Sequence, residues 1–380
     1  MKKLRILHIT PWFPNPDHEL AGVFILRQLQ ALNEHCYNEV LHLHFSDSKG
    51  MISEDFEGVK LNRKTFNPVV KKWIVKEKLV ASYINKYLKT NKDDFDIINF
   101  YIAYPNAVSI GKFKKNFPNL KFTITDVWSA YYEEFHLPKG HKGRTRIENI
   151  FSHDIPLFLI SHALGDDIKN FCGYDSLPHK VISIVINEND FNYKEKVKNP
   201  EVFTFCSVNN WTDLKNPALL IRAFNLMLKE DQNIQLVLAG SGKLSGQIVE
   251  LIKELKLEEK VIYKGRIPQE ELIQTIHDCQ AYCQSSNYET SSSICAEALA
   301  TGTPVISNEK GGIKEYITDL NGYIVPEATP EAWKDVMIKM KKNYSKYDGE
   351  SISKSILADR KYETIGQTYF NYFQEVFNGK

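Results

Sequence analysis

Short apolar runs alternate with longer amphipathic stretches along most of this 380-residue chain. A brief run rich in Ile, Val, Leu and Phe predicts a buried strand, and apolar residues recurring every three to four positions predict a helix. In the first half, LRILHIT (4–10), EVLHLHF (39–45), DIINF (96–100), KFTIT (121–125), PLFLI (156–160) and KVISIVI (180–186) read as strands. Helical patterns cover 22–35, 73–90, 106–116 and 162–172. NENDFNYKEKVKNP (187–200) is polar, charged and closed by Pro, and reads as a linker. The alternation then restarts. VFTFCSV (202–208), QLVLAG (235–240), VIYKG (261–265), AYCQ (281–284) and PVIS (304–307) are strands, with helices over 218–230, 245–256, 270–279 and 294–301. Such alternation predicts parallel α/β sheets. The expected architecture is two Rossmann-like, doubly wound domains, 1–186 and 201–358, facing across a cleft at their strand C-terminal ends.

Composition narrows the class without naming it. Apolar residues at 43% and charged residues at 25% are globular values. The formal net charge of +1 excludes a general polyanion binder, so nucleic acid is not expected as a partner. The charge divides unevenly: +5 over 1–185 (25 basic, 20 acidic) and −4 over the rest (23 basic, 27 acidic). KFKK (112–115) and KGHKGRTR (139–146) suit peripheral contact with an anionic membrane, although such runs are more often solvated faces. Met1-Lys2-Lys3 before LRILHIT is too short and polar a start for a signal peptide. No run of eighteen apolar residues occurs, so the expected location is the cytoplasm, extending to the inner face of the membrane. The six cysteines fall mostly inside apolar patterns and read as reduced core residues.

The densest chemistry lies in SSNYETSSSICAEALATGTPVISNEKGG (285–312). A strand and a polar turn precede Glu289, and three serines lead into a helix that carries Glu297. Ser291, Ser292 and Ser293 suit capping, and the unpaired N–H groups of a helix start attract anions. A ligand with phosphates at the helix tip and hydroxyls on both sides fits that layout. Taken singly, each glutamate is more often an exposed residue than a functional one.

The frame as a whole resembles the retaining GT-B glycosyltransferases of family 4, the glycosyl transferases group 1, of the bacterial polysaccharide-biosynthesis type. Their signature reads Glu-x-Phe-Gly-x-x-x-x-Glu-Ala, then Gly-x-Pro-Val and Gly-Gly-x-x-Glu. The resemblance is strong over 201–330, moderate over 1–35 and weak over 45–95 and 130–155. It implies a nucleotide diphosphate sugar donor, UDP-sugar ahead of GDP-sugar, and a glycan or lipid-linked acceptor. It also implies a same-face displacement in which the leaving phosphate helps deprotonate the acceptor, with no cofactor and no metal. Asp94-Phe95-Asp96 matches the Asp-x-Asp of metal-dependent transferases, but an acidic turn entering a strand is the plainer reading. Under the resemblance, Glu289 and Lys215 are catalytic, Glu289 holding donor-sugar hydroxyls and Lys215 the diphosphate. Glu297 would hold the ribose. The tail 356–377 carries aromatics at helical spacing. Under the resemblance the last helix, 360–378, would return to the first domain, while a free amphipathic helix on the second domain stays open.

Further donor-binding candidates follow residue by residue. Gly22 stands at a strand-to-helix junction, where a missing Cβ lets backbone approach a ligand, and equally where a plain cap glycine would stand. The segment from Gly22 to Gln28 matches the family's Gly-x-Phe-x-x-x-Gln. Gly240, in AGSGKLS (239–245), resembles the family's Gly-x-Gly loop, and Arg266 and Ile267 stand where the family contacts the base. Two departures stand out. Asn209-Asn210 replaces the family's Gly-Arg before Lys215, so Asn210 can donate a hydrogen bond but brings no charge. In KFTITDVWSAYYEEF (121–135), Val127 stands where the family has a His near the donor sugar. Asp126 is the candidate to cover that role, with His136 and His141 nearby in sequence. These departures keep other readings open: a non-catalytic nucleotide-sugar-binding protein or partner subunit, or a phosphorylase or epimerase on the same fold.

Overall fold

The computed structural model describes residues 3–19, 21–47, 50–132, 137, 139–198 and 200–379. It divides into two compact units: unit 1 is Met1–Val185 with Tyr362–Lys380, and unit 2 is Ile186–Lys361. His136 lies outside the described residues.

Unit 1 is built on β1 (Arg5–Thr10), β2 (Tyr37–Phe45), β3 (Gly50–Phe56), β4 (Val59–Phe66), β5 (Ile97–Tyr101), β6 (Lys121–Asp126), β7 (Leu157–Leu159) and β8 (Lys180–Val181). Their order is β3-β4-β2-β1-β5-β6-β7-β8. All neighbours run parallel except the edge strand β3, which is antiparallel to β4. The central β1 is buried on both faces, which its near-continuous apolar run reflects. Helices α1 (Val23–Leu32), α2 (Trp73–Asn91), the single turn α3 (Ala103–Asn106), α4 (Ile110–Asn116), α5 (Lys142–Phe151) and α6 (His162–Cys172) connect them. Because β1, β4, β5 and β6 run the same way, the segments that follow them (11–22, 67–72, 102–109 and 127–132) gather at one edge of the sheet.

Unit 2 carries β9 (Phe203–Val208), β10 (Ile234–Ala239), β11 (Val261–Tyr263), β12 (Ala281–Gln284), β13 (Val305–Asn308) and β14 (Gly322–Val325). All pairs are parallel, in the order β11-β10-β9-β12-β13-β14. Its helices are α7 (Pro217–Leu228), α8 (Ser245–Glu254), α9 (Gln269–Asp278), α10 (Ser293–Ala300), α11 (Pro330–Asn343) and α12 (Gly349–Arg360). Trp211, Tyr282 and Trp333 are its largest fully buried side chains.

Several elements depart from the sequence pattern. The stretch 180–186 pairs only over Lys180–Val181, because its neighbour β7 has three residues to offer. The helical stretch 356–377 is two helices, broken between Arg360 and Tyr362, and the second, α13 (Tyr362–Phe377), belongs to unit 1. There Ile365, Tyr369 and Phe373 join Ile25, Leu29 and Leu32 of α1 in one apolar cluster. Gly366 permits the close crossing, since a Cβ there would lie 2.1 Å from the Ala31 carbonyl oxygen.

Candidate functional site

In unit 2, β9 and β12 lie side by side and parallel, so the loops leaving their C-terminal ends meet. These loops are bonded directly to each other. Ser285 Oγ donates to the carbonyls of Lys215 (3.0 Å) or Asn216 (3.1 Å), and Asn287 N–H donates to Leu214 (2.7 Å). Asn308, at the end of β13, donates to the carbonyls of Ser285 and Ser286 and accepts from the Trp333 indole. Trp333 is fully buried, so the polar turn is anchored in the core.

That frame places Glu289 and Lys215 together. Lys215 Nζ lies 2.5 Å from Glu289 Oε1, and Gln284 Nε2 and Ser286 Oγ donate to the same oxygen at 2.6 Å. Both side chains are mostly shielded, 23% exposed for Lys215 and 11% for Glu289, so the charges face little water. The Glu289 backbone is clamped by the Gly-Gly pair that follows β13. Gly312 N–H donates to the Glu289 carbonyl (2.9 Å), and a Cβ on Gly311 (φ +98°) would lie 2.0 Å from that oxygen. The spacing of Glu289 to Gly311-Gly312 in the motif thus has a steric reason.

Glu297 lies in α10, largely buried and four residues after Ser293, so the two share a helix face. The expectation that the serines cap α10 is corrected. Ser292 holds the N-cap position at φ +58°, and its side chain makes no capping hydrogen bond. The turn is fixed instead through its carbonyls, as Tyr316 Oη reaches those of Ser291 (2.5 Å) and Ser292 (3.0 Å).

The Gly240 loop adjoins this site. A Cβ on Gly240 (φ +100°) would lie 2.0 Å from the Asn209 carbonyl, and one on Gly242 2.4 Å from that of Trp211. Gly240 N–H donates to the Gly265 carbonyl (2.6 Å), which brings the stretch holding Arg266 and Ile267 alongside. Asn210 and Arg266 are exposed. Lys243, which the sequence reading passed over, forms an ion pair with Asp213, two residues before Lys215. A Lys in a glycine loop after a strand was the available signal.

Gly22 and Asp126 belong to unit 1. Gly22 (φ +69°) caps α1 in the left-handed region, and a Cβ there would lie 2.7 Å from the Trp12 carbonyl oxygen. Its own chain therefore requires a glycine. Asp126 is fully buried, and its carboxylate accepts from Ala103 N–H (3.0 Å), Val127 N–H (2.8 Å), Trp128 N–H (3.0 Å) and Tyr131 Oη (2.7 Å). Burial pushes its carboxyl above the ordinary range, against the pull of these donors. Val127 packs with Ile102, Ile160 and Ile184, flanked by Trp12, Phe24 and Trp128. Asp94 is exposed, while Asp96 accepts from Arg5 N–H (2.9 Å).

Two doubly wound parallel-sheet units, the last helix belonging to the first, make the GT-B fold. The chain is similar to sucrose-phosphate synthase of Thermosynechococcus elongatus over 100% of both chains, with a TM-score of 0.79 at 17% identity. It is similar to Anabaena HepE solved with UDP-glucose over 98% of this chain and 100% of that one, with a TM-score of 0.73 at 14% identity. Residues 188–351 match the family model of glycosyl transferases group 1, so unit 2 carries a group 1 glycosyltransferase domain. One relative is the N-acetylgalactosamine-N,N'-diacetylbacillosaminyl-diphospho-undecaprenol 4-alpha-N-acetylgalactosaminyltransferase of Campylobacter jejuni. It is 37% identical over 106 residues, 28% of each chain. The chain spans less than half the length of the curated relatives it matches, between 26% and 47% of the first three.

Proposed function

We propose that the protein is a retaining glycosyltransferase that takes a sugar from a nucleotide diphosphate donor, a UDP-sugar ahead of a GDP-sugar. The observation that carries this is the convergence of Lys215, Gln284 and Ser286 on one oxygen of Glu289, on a frame anchored by buried Asn308 and Trp333. The protein's own hydrogen bonds fix these side chains in place, which suits electrostatic catalysis. As the glycosidic bond breaks, negative charge collects on the leaving diphosphate. Lys215 would stabilise it, helped by the N-terminus of α10 near Ser291–Ser293. Lys243 would supply the second cation that Asn210 does not. Glu289 would then turn its carboxylate to the donor-sugar hydroxyls, and Glu297 would hold the ribose.

Asp126 acts here as a positioning residue, because its carboxylate is bonded to the turn that presents Val127 and Trp128. The edge-to-face pair of Trp12 and Trp128 offers acceptor sugar rings an aromatic wall. A glycan or lipid-linked acceptor fits this reading, and the printed name of the Campylobacter relative, with its diphospho-undecaprenol, supports the lipid-linked form. Synthesis of a cell-surface polysaccharide is the corresponding role.

Calorimetric titration with UDP-glucose, UDP-N-acetylglucosamine and GDP-mannose tests the donor site. A phosphate contact from Lys215 predicts that Lys215→Ala weakens donor binding on the order of 10- to 100-fold. Affinity unchanged in that variant would refute the assignment. The apolar side chain of Val127, packed with Ile102, Ile160 and Ile184, favours one alternative, a nucleotide-sugar binder without turnover. Tight donor binding with no transfer to any acceptor in a cell-envelope extract would select it.

A further inference from the structure

Helix α2 begins at the edge of unit 1 where the segments after β1, β4, β5 and β6 gather, and runs back along the sheet. Lys76, near its start, lies over the ring of Phe45 at the end of β2, and Tyr87, near its finish, bonds Glu39 near the start of that strand. Its first two turns and the residues just before them leave a cluster of large apolar side chains in water. Val69 is 75% exposed, and Trp73, Ile74, Val75 and Leu79 are 37–39% exposed. Isolated exposed apolar residues are ordinary, but five within eleven positions form a patch that calls for a partner.

The charge around that patch says which partner. From 69 to 92 the chain holds seven lysines and one acidic residue, Glu77. Glu77 is buried and paired with Arg146 of α5, so it brings no negative charge to the surface. Lys71, Lys72 and Lys78 stand exposed beside the apolar residues. The Glu77–Arg146 pair also fixes α5 against α2, and the Arg146 guanidinium lies 5.7 Å from the Trp73 ring. Lys139, three residues before α5, and Lys142, its first residue, are exposed as well. A Trp among aliphatic side chains, ringed by lysines, has the chemistry of an interfacial helix, its apolar tip in the acyl boundary and its cations among anionic headgroups.

We propose that the start of α2, Val69 to Leu79, docks unit 1 on an anionic lipid bilayer. Of the two basic stretches singled out in the sequence, 139–146 lies beside this surface. Lys114 and Lys115 do not, since they end α4 and lead to the start of β6, toward the opposite edge of the sheet. The docking stands independently of the proposed transfer reaction. Its consequence, a site edge turned toward lipid-linked acceptors, rests on that reading.

Co-sedimentation of the full chain with phosphatidylcholine vesicles, with and without 30% phosphatidylglycerol, tests the docking. Binding to the anionic vesicles is expected, weakened by added salt and at least tenfold lower for pure phosphatidylcholine. Lys71→Ala/Lys72→Ala should lower affinity on the order of 30-fold, from about 1 kcal/mol per basic residue. Trp73→Ser/Ile74→Ser should abolish binding even at low salt, while UDP-sugar binding by unit 2 and the circular dichroism spectrum stay unchanged. Absence of vesicle binding by the unaltered protein overturns the proposal, as does binding that both double variants retain. Concentration-dependent dimerisation lost in Trp73→Ser/Ile74→Ser, without vesicle binding, would assign the patch to a second copy instead.

Discussion

Glu289 and Lys215 illustrate what a sequence carries at the level of single residues. Their types and motif positions were legible, but their ion pair was not, because 74 positions separate them and only the parallel pairing of β9 with β12 brings them together. Gln284 and Ser286, five and three residues before Glu289, were invisible for a different reason: a Gln ending a strand and a turn Ser look ordinary until both donate to one carboxylate oxygen. Glu289→Gln keeps the shape and removes the charge. It should slow transfer on the order of 100-fold while lowering stability by only about 1–2 kcal/mol, as the Lys215 charge retains some access to water. Steady-state kinetics beside chemical denaturation would check both figures. Gly311→Ala should be more damaging. Its Cβ would strike the Glu289 carbonyl, and the backbone lies in the left-handed region. Loss of activity with a fall in stability of about 2 kcal/mol or more is expected, and a near-normal Gly311→Ala enzyme would contradict the clamp described here.

Elements were readable where the apolar run or period was uninterrupted. AYCQ (281–284) forms β12 with those bounds, and β1, β9 and α6 lie within two residues of the sequence reading. The β3–β4 hairpin was missed because its strand MISEDF is exposed and acidic and its turn is Glu57-Gly58, without the Asn-Gly or Asp-Gly that usually marks such turns. The break at Lys361 was hidden because no Pro or Gly punctuates 356–365. Tyr369 and Phe373 of α13 are fully buried against unit 1. Tyr369→Ala should cost unit 1 about 3–5 kcal/mol, the usual range for truncating a large core aromatic, while UDP-sugar affinity in unit 2 persists. Limited proteolysis alongside nucleotide titration would separate the two effects.

At the scale of the molecule, the strand–helix alternation and the run 285–312 together made the GT-B architecture legible, whereas the surroundings of Val127 in unit 1 were not. There the matching family segment departs at Val127, and its neighbours are assembled from Ile102, Ile160 and Ile184, far apart in sequence. Unit 1 also carries a predictable pH response. Burial lowers the pKa of His8 to about 4 and of His42 to about 3, from 6.5. Below pH 6.5 the unfolded chain takes up protons that the folded chain refuses, so stability must fall as pH falls toward 4. Each histidine should remove about 2 kcal/mol between pH 7 and pH 5, seen as a lower urea midpoint that His42→Phe partly restores. The central claim, that this chain turns over a nucleotide diphosphate sugar at Glu289 and Lys215, is tested most directly by nucleotide release. UDP-, GDP- and ADP-sugars would be supplied with a lipid-linked glycan extract, and free nucleotide diphosphate followed for the unaltered chain, Glu289→Gln and Lys215→Ala. The account predicts release from one nucleotide class, UDP first, stimulated by the extract and reduced at least tenfold in both variants. Release that survives both substitutions, or none from any donor, would contradict it.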